Sequence, residues 1–99
     1  MGLDESQPVT LNNNTAATFR INGYQDNLHN PPQEINPGDE AVIKYTPGKP
    51  TVVYYIDEER RGQIVVEVGN NSQGNKLWGE GSFQLRTEGR PDVWDIVQE

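Results

Sequence analysis

The chain has 99 residues, of which 15 are acidic and 8 basic, and it contains no cysteine. This length is the size of one domain, and the formal net charge of −7 would repel a phosphate backbone, so nucleic acid is excluded as an expected partner. Without cysteine there are no disulfides, no thiolate nucleophile and no cysteine metal site.

The first residues of the chain are not expected to form a signal peptide. Residues 1–7 are expected to form a flexible tail, followed by a single domain over residues 8–99. The first residues, MGLDESQPVT, have neither the basic start nor the apolar stretch of a signal peptide, and no run approaches the length needed to cross a bilayer. We expect secretion or leaderless release, with a cytosolic location left open.

Alternation of apolar and polar residues, rather than helical spacing, runs through the rest of the chain. The first predicted strands place Phe19 and Ile21 on one face, and then Ala41, Ile43 and Tyr45 on another. Turn signals such as TPGKP and TEGRPD separate the strands at intervals of about ten residues. The pattern predicts an all-β fold, a single-domain antiparallel β-sandwich of six to eight strands.

Residues 22–40, NGYQDNLHNPPQEINPGDE, form the longest stretch without a strand pattern. We interpret them as a long Pro/Asn-rich crossover loop that Ile35 pins to the core. Because a rigid proline-rich loop loses little entropy on docking, one hypothesis is a protein-interaction or inhibitory domain. Its contact residues would be Asn30, Pro31, Pro32 and Ile35.

The clearest pair of predicted strands lies in the middle of the chain. Residues 51–56 (TVVYYI) and 63–68 (QIVVEV) flank the polar segment DEERRG and predict an antiparallel hairpin. The reverse side of this hairpin, which carries Tyr55, is expected to be mixed. The side chains expected to face the core are Val52, Tyr54 and Ile56 on the first strand and Ile64, Val66 and Val68 on the second.

Two further strands close the chain, with Phe83 and Leu85 and then Trp94 and Ile96 expected to face inward.

Two aromatic residues, Tyr24 and Trp78, lie beside glycines in NGYQDN and KLWGEG. We predict them at loop tips, where such rings stack on sugars or enter a lipid headgroup boundary; alternatively, Trp78 caps one end of the sandwich. The glycine- and asparagine-rich loop GNNSQGN adds Asn71 and Asn75 as polar candidates. With Tyr55, these are the five predicted ligand-binding residues.

No catalytic or metal site is predicted. The one histidine, His29, lies in the proline-rich segment, and no GxSxG motif supplies a nucleophile. The acidic clusters at 39–40 and 57–59 are interpreted as a strand cap and a solvated hairpin tip rather than as calcium ligands. We therefore expect no enzymatic activity, no cofactor and no bound metal.

The order of the turn motifs resembles the aegerolysins, small acidic β-sandwich proteins of fungi and bacteria. One of the matching stretches is similar to that family's PP-x-x-I-x-P-G sequence. The matching stretches, in chain order, are NNT at 13–15, NG at 22–23, PPQEINPG at 31–38, the strands at 53–56 and 64–68, and NNSQGN at 70–75.

The resemblance implies recognition of membrane lipids, sphingolipids especially, in some members together with a pore-forming partner. The chain departs from the family in three respects: it is short, its T-E-G segment is reduced to TPGK, and Tyr24 stands where tryptophan is common. Asn71 also replaces a usual proline.

Our first functional hypothesis is therefore a non-catalytic, aegerolysin-like toxin component. Its loop aromatics Tyr24 and Trp78, with Tyr55, would make shallow contact with a neutral lipid headgroup region. The negative charge disfavours anionic membranes. The alternatives are the protein-interaction domain described above and a carbohydrate-binding module using the same aromatic and asparagine residues. Exposed edge strands make a homodimer a further candidate.

Overall fold

The computed structural model describes residues 6–24, 28–70, 72 and 74–99, and within these ranges every regular element is a β-strand. The predicted all-β class is confirmed. The strands are β1 (Gln7–Asn13), β2 (Phe19–Tyr24), β3 (Leu28–His29), β4 (Glu34–Ile35), β5 (Glu40–Tyr45), β6 (Thr51–Asp57), β7 (Gly62–Val68), β8 (Lys76–Gly81), β9 (Phe83–Arg86) and β10 (Val93–Gln98).

The strands form two five-stranded sheets. The first sheet has the order β3-β5-β1-β10-β9, and the second has the order β4-β2-β6-β7-β8. Neighbouring strands are antiparallel except for β1 and β10, which run parallel with Leu11 opposite Trp94. The prediction of a wholly antiparallel arrangement is therefore wrong at this pair. Its two strands come from opposite ends of the chain, so no turn signal announces how they pair.

The hydrophobic core lies between the two sheets. Phe19 of the second sheet meets Phe83 of the first edge-on, with ring centroids 4.8 Å apart, which is a favourable arrangement of two aromatic rings. Tyr45 also reaches the core, as its strand pattern predicts. The fully buried apolar residues are Val9, Leu11, Phe19, Ile35, Ile43, Val53, Tyr55, Ile64, Val66 and Ile96.

The central hairpin is confirmed, but its predicted face is wrong on β6. The register places Tyr55 opposite Ile64 and Val53 opposite Val66, so Val53 and Tyr55 are buried. Tyr54, predicted in the core, is 41% exposed. A shift of one residue in the turn exchanges the two faces of a strand.

The segment of residues 22–40 contains the two shortest strands. Strand β3 pairs with β5 and strand β4 pairs with β2, which raises the strand number above the predicted six to eight. Ile35 is fully buried, as expected of an anchor. Residues 25–27 lie outside the described residues, so a continuous crossover loop stays a prediction.

At the start of the chain, strand β1 begins at Gln7. Residues 1–5 lie outside the described residues, and the division into a tail and one domain stays a prediction. The described ranges contain no helix that could span a bilayer.

Candidate binding site on the outer face of the second sheet

Three side chains stand in a row across the middle of the second sheet. Tyr54 on β6 lies opposite Val65 on β7, and Val65 lies opposite Trp78 on β8. Tyr54 is 41% exposed, and Trp78 is half-buried. Val65 is only 1% exposed although it points to the outer side of the sheet. Since directly opposite side chains on one face are neighbours, Tyr54 and Trp78 flank and shelter it.

Two half-buried aliphatic residues on β6 flank this row, one on each side. Val52 and Ile56 stand two residues before and after Tyr54 on the same side of the strand, because side chains alternate along β-structure. We call the five residues Val52, Tyr54, Ile56, Val65 and Trp78 the aromatic face. Among the aromatic side chains that the structure describes, Tyr54 and Trp78 are the two on the outer side of a sheet.

Polar groups border Trp78 on its own strand. The Nζ atom of Lys76 lies 5.6 Å from the centre of the Trp78 ring, within the range of a cation–π contact. The Trp78 indole Nε1 donates to Glu80 Oε2 at 3.0 Å, and Gln63 Nε2 on β7 donates to Glu80 Oε1 at 2.9 Å. The indole is therefore held in one orientation by these two contacts.

The carboxylate of Glu80 is the best acceptor beside the ring. The hydrogen bond from Gln63, and secondly the one from Trp78, lower the pKa of Glu80 below its usual value. Both bonds favour the charged form. Each oxygen retains acceptor capacity for a further donor, so Glu80 can bind a ligand hydroxyl without giving up its present partners.

The far side of the aromatic face is bounded by charges on β2. Arg20 lies opposite Ile56, and its Nε atom is 2.6 Å from Glu58 and 3.3 Å from Glu34. Gly23, the β2 residue opposite Tyr54, carries no side chain, and a Cβ there would meet nothing within 4 Å. The row through Tyr54 thus gains no side chain from Gly23.

Trp78 is not at a loop tip, contrary to the prediction. It lies in the middle of β8. Its neighbouring glycines have another cause: a Cβ on Gly79 would be 2.3 Å from the Phe83 carbonyl oxygen, and one on Gly81 would be 2.3 Å from that of Arg61. These glycines allow the chain to turn closely from β8 into β9, and they do not indicate a loop.

The other predicted ligand-binding residues that the structure describes do not join this face. Tyr24 ends β2 and its backbone pairs with Val53, but its side chain, like Asn71, lies outside what the structure describes. Asn75 donates from Nδ2 to the Tyr45 hydroxyl at 2.9 Å, next to the beginning of β8.

Tyr55 lies in the core. Its ring is fully buried, its hydroxyl donates to the Pro32 carbonyl at 2.7 Å, and burial raises the pKa of Tyr55 above its usual range. Contact of Tyr55 with a ligand stays a prediction, and Tyr55 is not part of the aromatic face.

The proposed protein-interaction residues serve mainly as anchors. Pro31 and Ile35 are buried, Pro32 is half-buried, and Asn30 is exposed with a positive φ of 49°. Of these four residues, Asn30 is therefore the one exposed to a partner.

The regions weighed for catalysis or metal binding have structural partners. His29 Nε2 and Thr46 Oγ1 are 2.9 Å apart. Asp57, expected at a solvated hairpin tip, is fully buried and paired with Arg61, because the turn folds back over it. In the described residues, no group of three or more histidine or acidic side chains is placed to hold a metal ion.

Sequence reasoning missed Tyr54 as a surface residue. The signal was the turn: the four residues 58–61 lie between the strands, and Ile56 stands opposite Gln63. This spacing pairs even-numbered residues of β6 with odd-numbered residues of β7. That parity brings Tyr54 beside Val65 rather than beside the inward-facing Val66.

Comparisons of the chain with protein-family models, with curated proteins and with solved structures find no match. The resemblance to the aegerolysins stays a prediction that rests on the turn motifs quoted above.

Proposed function

We propose that this chain is a non-catalytic carbohydrate-binding module, built as a β-sandwich, that holds its ligand on the aromatic face. The observation that carries the proposal is the row of Tyr54, Val65 and Trp78 in cross-strand register, with hydrogen-bonding groups on both sides. Accessible aromatic rings with polar groups beside them are the features that a sugar requires.

A pyranose ring has two kinds of surface, and the aromatic face matches both. Its C–H groups pack against the electron-rich face of an aromatic ring. Its hydroxyls lie around the edge of the sugar and need partners when water is displaced. We call the row of Tyr54, Val65 and Trp78 the aromatic row. Acceptors and donors stand two residues along the strands on either side of it: Glu80 and Gln63 on one side, and Glu67 and Lys76 on the other.

Deep membrane insertion of Trp78 is disfavoured by its neighbours. Lys76 and Glu80 share its strand and its side of the sheet, so insertion of the indole into hydrocarbon would also dehydrate two charged groups, which is costly. Lipid recognition of the aegerolysin-like kind would then be limited to contact of the Tyr54 and Trp78 rings with lipid headgroups. Binding to neutral liposomes is therefore the outcome to be compared with glycan binding.

The test is binding to immobilised glycans and to neutral liposomes by the wild type and three variants. We expect the wild type to be retained by at least one neutral polysaccharide. Trp78→Ala and Tyr54→Ala should each weaken binding about tenfold or more, equivalent to about 1.4 kcal/mol, because each removes one stacking ring.

Val42→Ala is the matched control for this test. Val42 is a 38% exposed strand residue on the outer face of the first sheet, and its truncation should leave binding unchanged. Thermal unfolding of every variant checks the fold. Silence on all glycans, or glycan binding insensitive to both ring deletions, would contradict the proposal. Binding to sphingolipid liposomes that is lost in Trp78→Ala would favour the lipid hypothesis instead.

A further inference from the structure

Resting on the proposed function, we infer that the ligand is an internal stretch of a linear, neutral, equatorially linked polysaccharide, which lies across the strands and covers at least three sugars. The size, the direction and the charge of the ligand each follow from a separate feature of the aromatic face and its surroundings.

The length follows from the spacing of the two rings. Tyr54 and Trp78 are on β6 and β8, with β7 between them, so their backbones are separated by two strand spacings, about 10 Å. A pyranose joined through equatorial bonds advances by roughly one strand spacing per residue. Sugars on the two rings are therefore alternate members of a chain, and the sugar between them lies over Val65.

The direction follows from the rows on either side. The row through Val52, Glu67 and Lys76 and the row through Ile56, Gln63 and Glu80 run parallel to the aromatic row, one on each side of it. Each is displaced by two residues along the strands, about 7 Å. A chain over the aromatic row would place hydroxyls of successive sugars towards both rows, whereas a chain along a strand would meet only one ring.

Gly23, which pairs with Tyr54, adds no side chain at one end of the aromatic row. Beyond Trp78, β8 is the last strand in the order of the second sheet. Neither Gly23 nor a further strand therefore supplies a group to recognise a chain end, so an internal segment fits.

The charge of the ligand follows from the net charge of the chain. Glu67, Glu80 and the cation Lys76 all border the row, and the whole chain carries a formal charge of −7. Uronate or sulfated chains would be repelled, whereas neutral hydroxyls find acceptors in both carboxylates.

The experiment is isothermal titration calorimetry with cello-oligosaccharides and chito-oligosaccharides of one to six sugars, which are neutral and equatorially linked. In at least one series, affinity should rise about tenfold, or about 1.4 kcal/mol, between two and three sugars, and level off soon afterwards. Tyr54→Ala and Trp78→Ala should each abolish that step, leaving two and three sugars equally bound. Attaching the reducing end of the oligosaccharide to a polymer should leave the affinity unchanged, because an internal segment needs no free chain end.

The outcomes separate this inference from the proposed function. Binding in which one sugar suffices, in which a free chain end is required, or which is confined to glycans outside these two series would overturn the inference while the binding module stands. Absence of binding to every glycan would overturn both. Val42→Ala should reproduce the wild-type length dependence and serves as the control.

Discussion

Asp57 is the residue where one buried charge holds a turn in place. The last residue of β6, it is fully buried and accepts hydrogen bonds from the Arg61 backbone amide at 3.1 Å, Nε at 2.6 Å and Nη2 at 3.2 Å. The carbonyl of Arg61 in turn accepts from the Ser82 amide at 3.1 Å. One carboxylate therefore connects the β6–β7 turn to the corner where the chain passes between the sheets.

This pair gives the fold a specific dependence on pH. The side-chain hydrogen bond from Arg61 is the main cause of a lowered pKa at Asp57, whose ordinary value is 3.8. A carboxyl group whose pKa is lower in the folded chain contributes stability above its unfolded pKa, and loses it as the pH falls towards the folded pKa. Asp57→Asn should therefore lower the free energy of unfolding by about 2 kcal/mol near neutrality and flatten its decline at acid pH.

Urea unfolding followed by tryptophan fluorescence, from about pH 2 to pH 7, measures this effect. Asp95→Asn is the control, since Asp95 is a half-buried strand carboxylate with one 3.2 Å hydrogen bond, from Asn12. Parallel stability curves for wild type and Asp57→Asn at low pH would argue against the role of the pair.

At the scale of elements, the β6–β7 hairpin carries strain at one turn residue. Arg60 has a positive φ of 62° while its amide donates to the Asp57 carbonyl at 2.9 Å. For residues with a Cβ, the left-handed region is unfavourable by roughly 1–2 kcal/mol, and glycine avoids this penalty.

Arg60→Gly should therefore raise the free energy of unfolding by about 1 kcal/mol. Arg60→Ala removes the same side chain but keeps the Cβ, so it should show no such gain. Denaturant midpoints of the two variants give the comparison. Equal stabilities would mean that backbone strain does not limit this turn.

The same hairpin shows how far sequence reasoning reaches. Alternation and turn composition predicted both strands and their pairing, because these are local signals. The inward face of β6 could not be read from hydrophobicity, since Thr51 and Asp57 share it with Val53 and Tyr55. Burial of Asp57 depends on its pairing with Arg61, which no strand pattern contains.

The candidate site was predictable only in part for a similar reason. Trp78 was selected as a binding candidate for a loop position, and the structure places it in a strand instead. Its adjacent glycine serves a close approach to the Phe83 backbone, a contact between residues whose proximity depends on the turn at Ser82. Tyr54 joins Trp78 through Val65, and that row exists only once three strands are in register.

At the scale of the whole molecule, the first and last long strands complete one sheet together. Strand β1 lies between β5 and β10, so the centre of the first sheet cannot form until the two ends of the chain meet. The chain loses conformational entropy when this long loop closes, before contacts between β1 and β10 can stabilise it. This cost slows folding.

We therefore expect folding in the range of milliseconds to seconds, as for other β-proteins dominated by non-local pairs. Stopped-flow refolding with a Trp78→Phe variant leaves Trp94 of β10 as the only indole and reports when that strand docks. Completion within microseconds would contradict the topology argument. A Trp94→Phe variant follows the second sheet through Trp78 and provides the comparison.

The parallel pairing of β1 and β10 also governs how the molecule would respond to force. Since the two strands run side by side in the same direction, the chain enters β1 at one end of the molecule and leaves β10 at the other. A pull on the two termini would act along both strands and load their hydrogen bonds together, in shear, whereas tension across the β6–β7 hairpin would open its bonds one after another. The pairing of β1 and β10 thus gives the molecule a geometry that resists mechanical extension from its two ends.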